Sequence, residues 1–154
     1  MPSDRPRRVA QAAVIATALA IPAEGLRQFA YYDPPGILTV CYGHTGKDVL
    51  AKKKYTLEEC KSLLTDDMHE AIDTVERCHP GLPENVLAAF GDAVFNLGPK
   101  VACSSTASKY LALGEIESAC RELPRWNKAS VAGVLVPLPG LTKRRNAEMA
   151  LCLA

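Results

Sequence analysis

Six cysteines in 154 residues constrain this chain more than any other feature. The count is even and high for a chain of this size, and the cysteines are spread from Cys41 to Cys152. No Cys-x-x-Cys pair occurs, so a zinc ribbon or a thioredoxin-type redox site does not fit. Two readings follow. Either the thiols pair as disulfides, which requires an oxidising compartment, or they are six reduced, buried side chains acting as small hydrophobes. Spacing alone does not choose among the possible pairings.

The length suits one domain with one core, residues 1–154, and the apolar fraction of 48% is far too high for a disordered chain. A formal charge of +1 gives no basic field, and so no indication of nucleic acid. The N-terminus is shaped like a targeting segment. Arg5, Arg7 and Arg8 precede an apolar run, residues 9–23, interrupted by Gln11 and Thr17. The run is short beside the roughly 17–25 residues of a transmembrane helix. Ala18-Leu19-Ala20 has the form of a small-x-small cleavage site.

Periodicity then divides the chain. Ser3 or Asp4 is placed to cap a first helix with Pro6 in its first turn, and the alanine-rich stretch favours helix. Pro22 predicts a kink or restart, with the helix continuing through Glu24 to about Phe29. Asp33-Pro34-Pro35-Gly36 is a turn signal. Ile37 to Tyr42 reads as a strand, and Val49 to Tyr55 as a second, giving a hairpin or a three-stranded sheet. Thr56-Leu57-Glu58-Glu59 is a capping box. It opens an amphipathic helix that runs to about Cys78 and ends at His79-Pro80-Gly81. Pro83 falls in the first turn of a further helix that stops at Gly98-Pro99. Shorter helices are expected over Ser105–Leu113 and Glu115–Leu123, then a loop from Ala129 to Gly140 and a last helix from about Thr142. The fold class is α+β, mostly α.

The chemistry centres on "AEGLRQFAYYDPPGILTVCYGHTG", residues 23–46. Cleaving a glycosidic bond needs a carboxylic acid to protonate the leaving oxygen, and a second group to position water or stabilise the oxocarbenium-like transition state. Glu24 among apolar neighbours suits the acid, since desolvation favours a protonated carboxyl. Asp33 on a polar turn suits an ionised partner. Thr39 on the strand offers a hydroxyl to hold water, and Tyr31 and Tyr32 offer rings to flank a sugar. Spacing alone does not decide the matter, because two carboxylates nine residues apart are ordinarily surface charges. Other patterns carry less. His69-Glu70 lacks the second histidine of a zinc protease helix. Cys41 with His44 falls on opposite faces of a strand. Lys143, Arg144 and Arg145 read as a solvated basic face, or as a contact for anionic cell-wall polymer.

Glu24-x8-Asp33-x5-Thr39, followed by Gly43-His44-Thr45, resembles the phage-type lysozymes, the endolysins of glycoside hydrolase family 24. "KKYTLEECKSLL", "AVFNLG", "STASKYLALGE", "LPRWNKA" and "GLTKRRNAEMALC" resemble further family blocks in the same order, from about residue 18 to the C-terminus. The resemblance implies a lysozyme-like fold with a small β-hairpin lobe and a larger helical lobe. It implies Glu24 as general acid, with Asp33 and Thr39 positioning the water of an inverting hydrolase. The bond would be the β-1,4 link between N-acetylmuramic acid and N-acetylglucosamine in peptidoglycan. His44 would hold the catalytic end in place or touch substrate, and Asn96 and Thr106 would line the cleft. The Pro34-Pro35 pair departs from the commoner family turn and should stiffen it. The resemblance implies no metal or cofactor, and a monomer acting on peptidoglycan.

The same layout suggests disulfides Cys41–Cys60, Cys78–Cys103 and Cys120–Cys152, and hence export to the periplasm. Cleavage after Ala20 would remove most of the support of Glu24, so it is disfavoured if Glu24 is catalytic. The expectation is an uncleaved signal-arrest-release segment at residues 9–23 that associates transiently with the inner membrane. The alternative is a cytoplasmic enzyme that waits for a holin. Other readings of the activity are a lytic transglycosylase, a cell-wall amidase or peptidase, and a wall-binding protein without activity.

Overall fold

The computed structural model of the protein describes residues 4–33 and 36–154. The expected Ser3 cap and the Pro34-Pro35 pair therefore lie outside the described residues. The first helix, α1 (Arg5–Ala20), has Pro6 in its first turn, and Asp4 occupies its N-cap without a side-chain capping bond. Its buried face is almost all alanine: Val9, Ala12, Ala13, Ala16 and Ala20. Such small side chains let the helix backbone lie close to its neighbours.

The helix does not reach Phe29. It ends at Ala20, where the N–H groups of Ala23 and Glu24 both donate to the Ala20 carbonyl. Past Gly25, the segment Arg27-Gln28-Phe29-Ala30-Tyr31-Tyr32 forms strand β1 (Arg27–Tyr32). Its aromatic side chains suit a pleated surface better than a helix. Glu24 thus sits in the connection between helix and strand.

The small lobe is a three-stranded antiparallel sheet in chain order: β1, β2 (Leu38–Cys41) and β3 (His44–Thr45). Thr39 pairs with Tyr31 on one side and with Thr45 on the other. A second strand was expected over Val49–Tyr55. That segment instead gives only an isolated bridge, Phe29 with Lys54, and a bond from the Tyr55 N–H to the Gln28 carbonyl. The Tyr55 hydroxyl turns inward to accept the Leu50 N–H, which holds the stretch as a loop.

Helix α2 (Leu57–Cys78) begins with both bonds of the expected capping box. Thr56 Oγ1 accepts the Glu59 N–H at 3.1 Å, and Glu59 Oε1 accepts the Thr56 N–H at 3.2 Å. Helix α3 (Glu84–Leu97) is buried continuously from Val86 to Val94. It is the central rod of the large lobe and packs against α1, α2 and α7 (Pro139–Leu153). At the α2–α3 crossing, a Cβ added to Gly91 would lie 2.1 Å from Ile72 Cδ1, so only glycine permits this approach.

Three short helices follow: α4 (Lys100–Cys103), α5 (Thr106–Ala112) and α6 (Ile116–Cys120). The sequence did not signal α4. The expected Glu115–Leu123 helix divides into α6 and a 3-10 turn, Leu123–Arg125, because Pro124 cannot donate the bond that would extend it. The expected loop from Ala129 to Gly140 is in part a hairpin, β4 (Lys128–Val131) with β5 (Val134–Pro137), reversing through Ala132 and Gly133 at positive φ. Its two prolines sit at the end of β5 and the start of α7, where they interrupt no ladder. Helix α7 accordingly begins at Pro139, earlier than Thr142. Disulfides join Cys41 to Cys60, Cys78 to Cys103 and Cys120 to Cys152. The first ties the sheet to α2, and the last ties α6 to α7. The architecture is α+β and mostly helical.

Candidate active site

A cleft of about 530 Å³ opens between the sheet and the large lobe. The α1–β1 connection contributes Glu24. The β2–β3 turn and β3 contribute Tyr42, Gly43 and Thr45. Helix α2 contributes Asp67, Glu70, Ala71 and Thr74, and the end of α3 contributes Val94, Phe95 and Asn96. Glu24 lies at the base of the cleft, its side chain 21% exposed. Gly43 adopts φ +81 there, and a Cβ on it would lie 3.7 Å from Glu24 Oε2. The positive φ is what calls for glycine at this turn.

The other oxygen is held. Arg144 Nη1 donates to Glu24 Oε1 at 2.6 Å, while Nε and Nη2 of the same guanidinium donate to Asp92 at 3.0 and 2.8 Å. Arg144 is buried and Asp92 is fully buried. Burial alone would lower the arginine pKa, but the bonds and charges of Asp92 and Glu24 more than reverse that effect and raise it. One residue on, Arg145 Nη2 donates to Asn96 Oδ1 at 2.8 Å. This fixes the amide so that its N–H₂ end remains for the cleft. Arg145 Nη2 also donates to Glu148 Oε2 at 2.9 Å. The basic run was expected to be solvated. Instead Arg144 and Arg145 are 6% and 0% exposed and form the floor beneath the site.

The expected site residues are placed as follows. Thr39 is 4% exposed, and its hydroxyl donates to the Ile37 carbonyl at 3.0 Å. Directly paired residues share a sheet face, so Thr39 is on the face of Thr45, which lines the cleft. Asp33 closes the β1–β2 hairpin: its N–H donates to the Ile37 carbonyl, and its Oδ1 accepts the Ile37 N–H at 2.7 Å. Neither Asp33 nor Thr39 is among the residues that line the cleft, whereas Glu24 and Asn96 are. Tyr31 stacks on Arg27, 4.5 Å from guanidinium carbon to ring centre, and Tyr32 is largely exposed. Thr106 is exposed at the start of α5, away from the cleft lining.

His44 joins the two lobes. Its Nδ1 lies 2.7 Å from Asp67 Oδ2, and its Nε2 lies 3.1 Å from both carboxyl oxygens of Asp48. Burial works against the imidazolium, but the hydrogen bonds and charges of the two aspartates outweigh it, and the His44 pKa is raised. The Asp67 pKa is raised as well, because its burial exceeds the help that His44 gives its charged form.

A family model described as phage lysozyme matches residues 22–148. The chain belongs to the phage lysozyme family. It is a glycoside hydrolase. The match spans the lysozyme cleft described above, from Glu24 through α7. Among curated relatives, the chain is 38% identical over 134 residues to a SAR-endolysin of Bacteriophage PS119, covering 84% of this chain and 76% of that one. Among solved lysozyme-like structures, it is similar to the muramidase domain of SpmX from Asticcacaulis excentricus, with a TM-score of 0.82, 28% identity and coverage of 90% and 95%. It is also similar to the active form of the P1 phage endolysin Lyz, with a TM-score of 0.76, 26% identity and coverage of 90% and 83%. Against the secreted inactive form of that endolysin the TM-score is 0.51, with 25% identity and coverage of 70% and 75%.

Sequence reasoning missed Arg144, Asp92, Asp67 and Glu148 in this lysozyme site. Asp92 could have been noticed as the single charge inside the apolar run "AAFGDAVF", since a lone buried charge requires a partner. Arg144 and Glu148 lie four apart on one helix face, beside the Arg145 that bonds Glu148.

Proposed function

We propose that the enzyme hydrolyses the β-1,4 bond between N-acetylmuramic acid and N-acetylglucosamine in peptidoglycan, with inversion, during lysis of a bacterial host. Glu24 is the general acid. Its cleft-facing oxygen protonates the leaving glycosidic oxygen while Arg144 holds the other. Asp33 and Thr39 position the attacking water on the opposite face of the sugar, Asp33 as the carboxylate and Thr39 through its hydroxyl. An inverting reaction needs two carboxyl groups about 6.5–9.5 Å apart, with room for that water. The observation that carries this reading is the Glu24 carboxyl in the lining of a cleft of about 530 Å³, with one of its oxygens held by a buried arginine. The sheet pairing that brings Thr39 onto the face of Thr45 supports the water-holding role.

The same reading takes the chain to the periplasm. Three disulfides favour an oxidising compartment, and the relatives include proteins named SAR-endolysin. Residues 9–23 would associate with the inner membrane before α1 docks on the enzyme. Among the described residues no helix is long and apolar enough to cross a membrane, so this association is weak and reversible in the proposal.

The test is product analysis on purified peptidoglycan, with Glu24→Gln beside the wild type. New reducing sugar ends that vanish in the variant support the proposal. Anhydro ends make the enzyme a transglycosylase, and free amines move it to the amidase class. Normal lysis by Glu24→Gln removes Glu24 from the reaction.

A further inference from the structure

Beneath Glu24 lies an array of ionisable groups that the reaction as described does not use. Arg144 bridges Glu24 and Asp92. Glu148, 0% exposed on α7, is paired with Arg145, and the buried Asp92 is among the neighbours that raise its pKa. Arg145 is itself 0% exposed and bonds Asn96 at the cleft wall. Glu148 Oε1 lies 2.7 Å from Arg145 Nε, yet neither atom has a hydrogen-bond partner of acceptable angle. Glu148 and Asp92 are both buried carboxyl groups, and each can only accept unless it carries a proton. Among the described residues the one other buried charged side chain is Glu76, which pairs with Arg8. On α6, Arg121 and Glu117 pair with each other at the surface, and beside the 3-10 turn Arg125 pairs with Glu122. On the cleft side, Glu24 shares its lining with Asp67 and Glu70, and Asp67 is paired with His44.

Counting charges is informative here. Two arginines face three carboxyl groups, Glu24, Asp92 and Glu148. With every group ionised the array carries one surplus negative charge, and one proton makes it neutral. Both Asp92 oxygens accept aligned guanidinium N–H groups, whereas Glu148 Oε1 accepts none of acceptable angle. The proton belongs on one of the two glutamates. Interactions between buried groups of this kind make protons titrate with the set and not with single residues.

We propose that Glu24 and Glu148 are a coupled pair that shares one proton across the two arginines, so that Glu148 is a positioning residue which sets how readily Glu24 holds the proton it must donate. The inference rests on Glu24 being the general acid. In the free enzyme the proton resides on Glu148, the more deeply buried of the two. Its pKa is pushed up to about 10, first by burial and then by the bond and charge of Asp92, against the pull of Arg145. A sugar in the cleft covers the exposed part of Glu24 and removes its water, which favours the neutral form of Glu24. Glu148 then ionises against Arg145, and the array stays neutral with the acid loaded. After Glu24 protonates the leaving oxygen, uptake of one proton from solvent restores the neutral array.

Two measurements test this. Glu148→Gln cannot ionise, so a protonated Glu24 would leave the array positive. The limb of the pH dependence of kcat/KM on which activity falls with rising pH should move down by about one pH unit or more. Glu148→Asp, which can still ionise, should restore its position. A limb that stays in place, with activity lowered evenly across pH, would show a merely structural role and overturn the proposal. The second measurement does not depend on catalysis: carbon-13 NMR of the side-chain carboxyl groups. In wild type the Glu148 signal should remain that of a neutral acid past neutral pH. In Glu24→Gln, where Glu24 no longer supplies a negative charge, Glu148 should ionise at lower pH than in wild type. An identical Glu148 titration in both proteins would sink the coupling. Retained lysis by Glu24→Gln would instead sink the role of Glu24 and leave the NMR comparison standing.

Discussion

His44 Nδ1 meets Asp67 Oδ2 at 2.7 Å, and through this pair the β-sheet lobe is bound to α2 beside the cleft. The His44 pKa is raised in the folded protein. A raised histidine contributes its stability fully below its unfolded pKa, about 6.5. That contribution is lost as pH rises through the folded value. His44→Asn should therefore cost about 1–2 kcal/mol near pH 5.5 and much less above pH 8.5. Thermal melts of both proteins at the two pH values check this. A melting-point difference that grows with pH would contradict it.

Glu76 is 2% exposed, and Arg8 from α1 reaches it with two bonds, 2.8 and 2.6 Å long. Arg8 is the chief reason the Glu76 pKa is lowered. Without Arg8 the buried carboxylate keeps, among the described residues, only the Arg5 contact at 3.9 Å and the Gly81 N–H at 3.3 Å, so Arg8→Met should cost about 3 kcal/mol. The double change Arg8→Met with Glu76→Leu should recover most of that loss. The Arg8 contribution is present above the ordinary glutamate pKa, about 4.3, and is lost as pH falls through the lower folded value. Urea unfolding at neutral and acid pH measures both effects.

Gly91→Ala would put a methyl 2.1 Å from Ile72 Cδ1 in a fully buried crossing. Ile72 is fully buried, so the crowding must be relieved within a packed core, and the expected cost is about 1–3 kcal/mol. Ile72→Val removes the obstructing Cδ1, and in its background Gly91→Ala should cost less than alone. Additive effects in that double-mutant cycle would mean that the two helices shift apart instead.

The bridges close loops of 19, 25 and 32 residues. Chain entropy assigns each about 3–4 kcal/mol, the largest share to Cys120–Cys152. Paired Cys→Ala variants, melted one bridge at a time, should follow that order, and reductant should lower the wild-type melting point. A melting point indifferent to reductant would mean the thiols are not paired in the folded enzyme.

What could be read from the sequence was what local chemistry decides. Thr56 and Glu59 announce α2 because both capping bonds lie within one turn. His79-Pro80-Gly81 and Gly98-Pro99 end helices wherever they fall. The segment after Ala20 misled because alanine-rich propensity runs up to Pro22, while the aromatic residues of β1 become a strand only by pairing with β2. The hairpin at 128–137 was hidden by glycines and prolines that turn out to mark its turn and its end. The largest miss was α7. Three consecutive basic residues look solvated when read along the chain. The burial of Arg144 depends on Asp92, 52 positions away, and on Glu24, 120 positions away. No local pattern reports contacts of that range, although the family blocks placed Glu24 and Asn96 in one cleft.

The three disulfides enclose residues 41–60, 78–103 and 120–152. Helix α1 and the connection that carries Glu24 precede all of them. Glu24 therefore hangs on the part of the molecule that no covalent loop encircles, held by alanine packing, the Arg8–Glu76 pair and the reach of Arg144. Withdrawing that strip of chain breaks no bond and unthreads no ring. In the reading proposed above, docking of α1 and its connection onto the disulfide-closed body would be one non-covalent step.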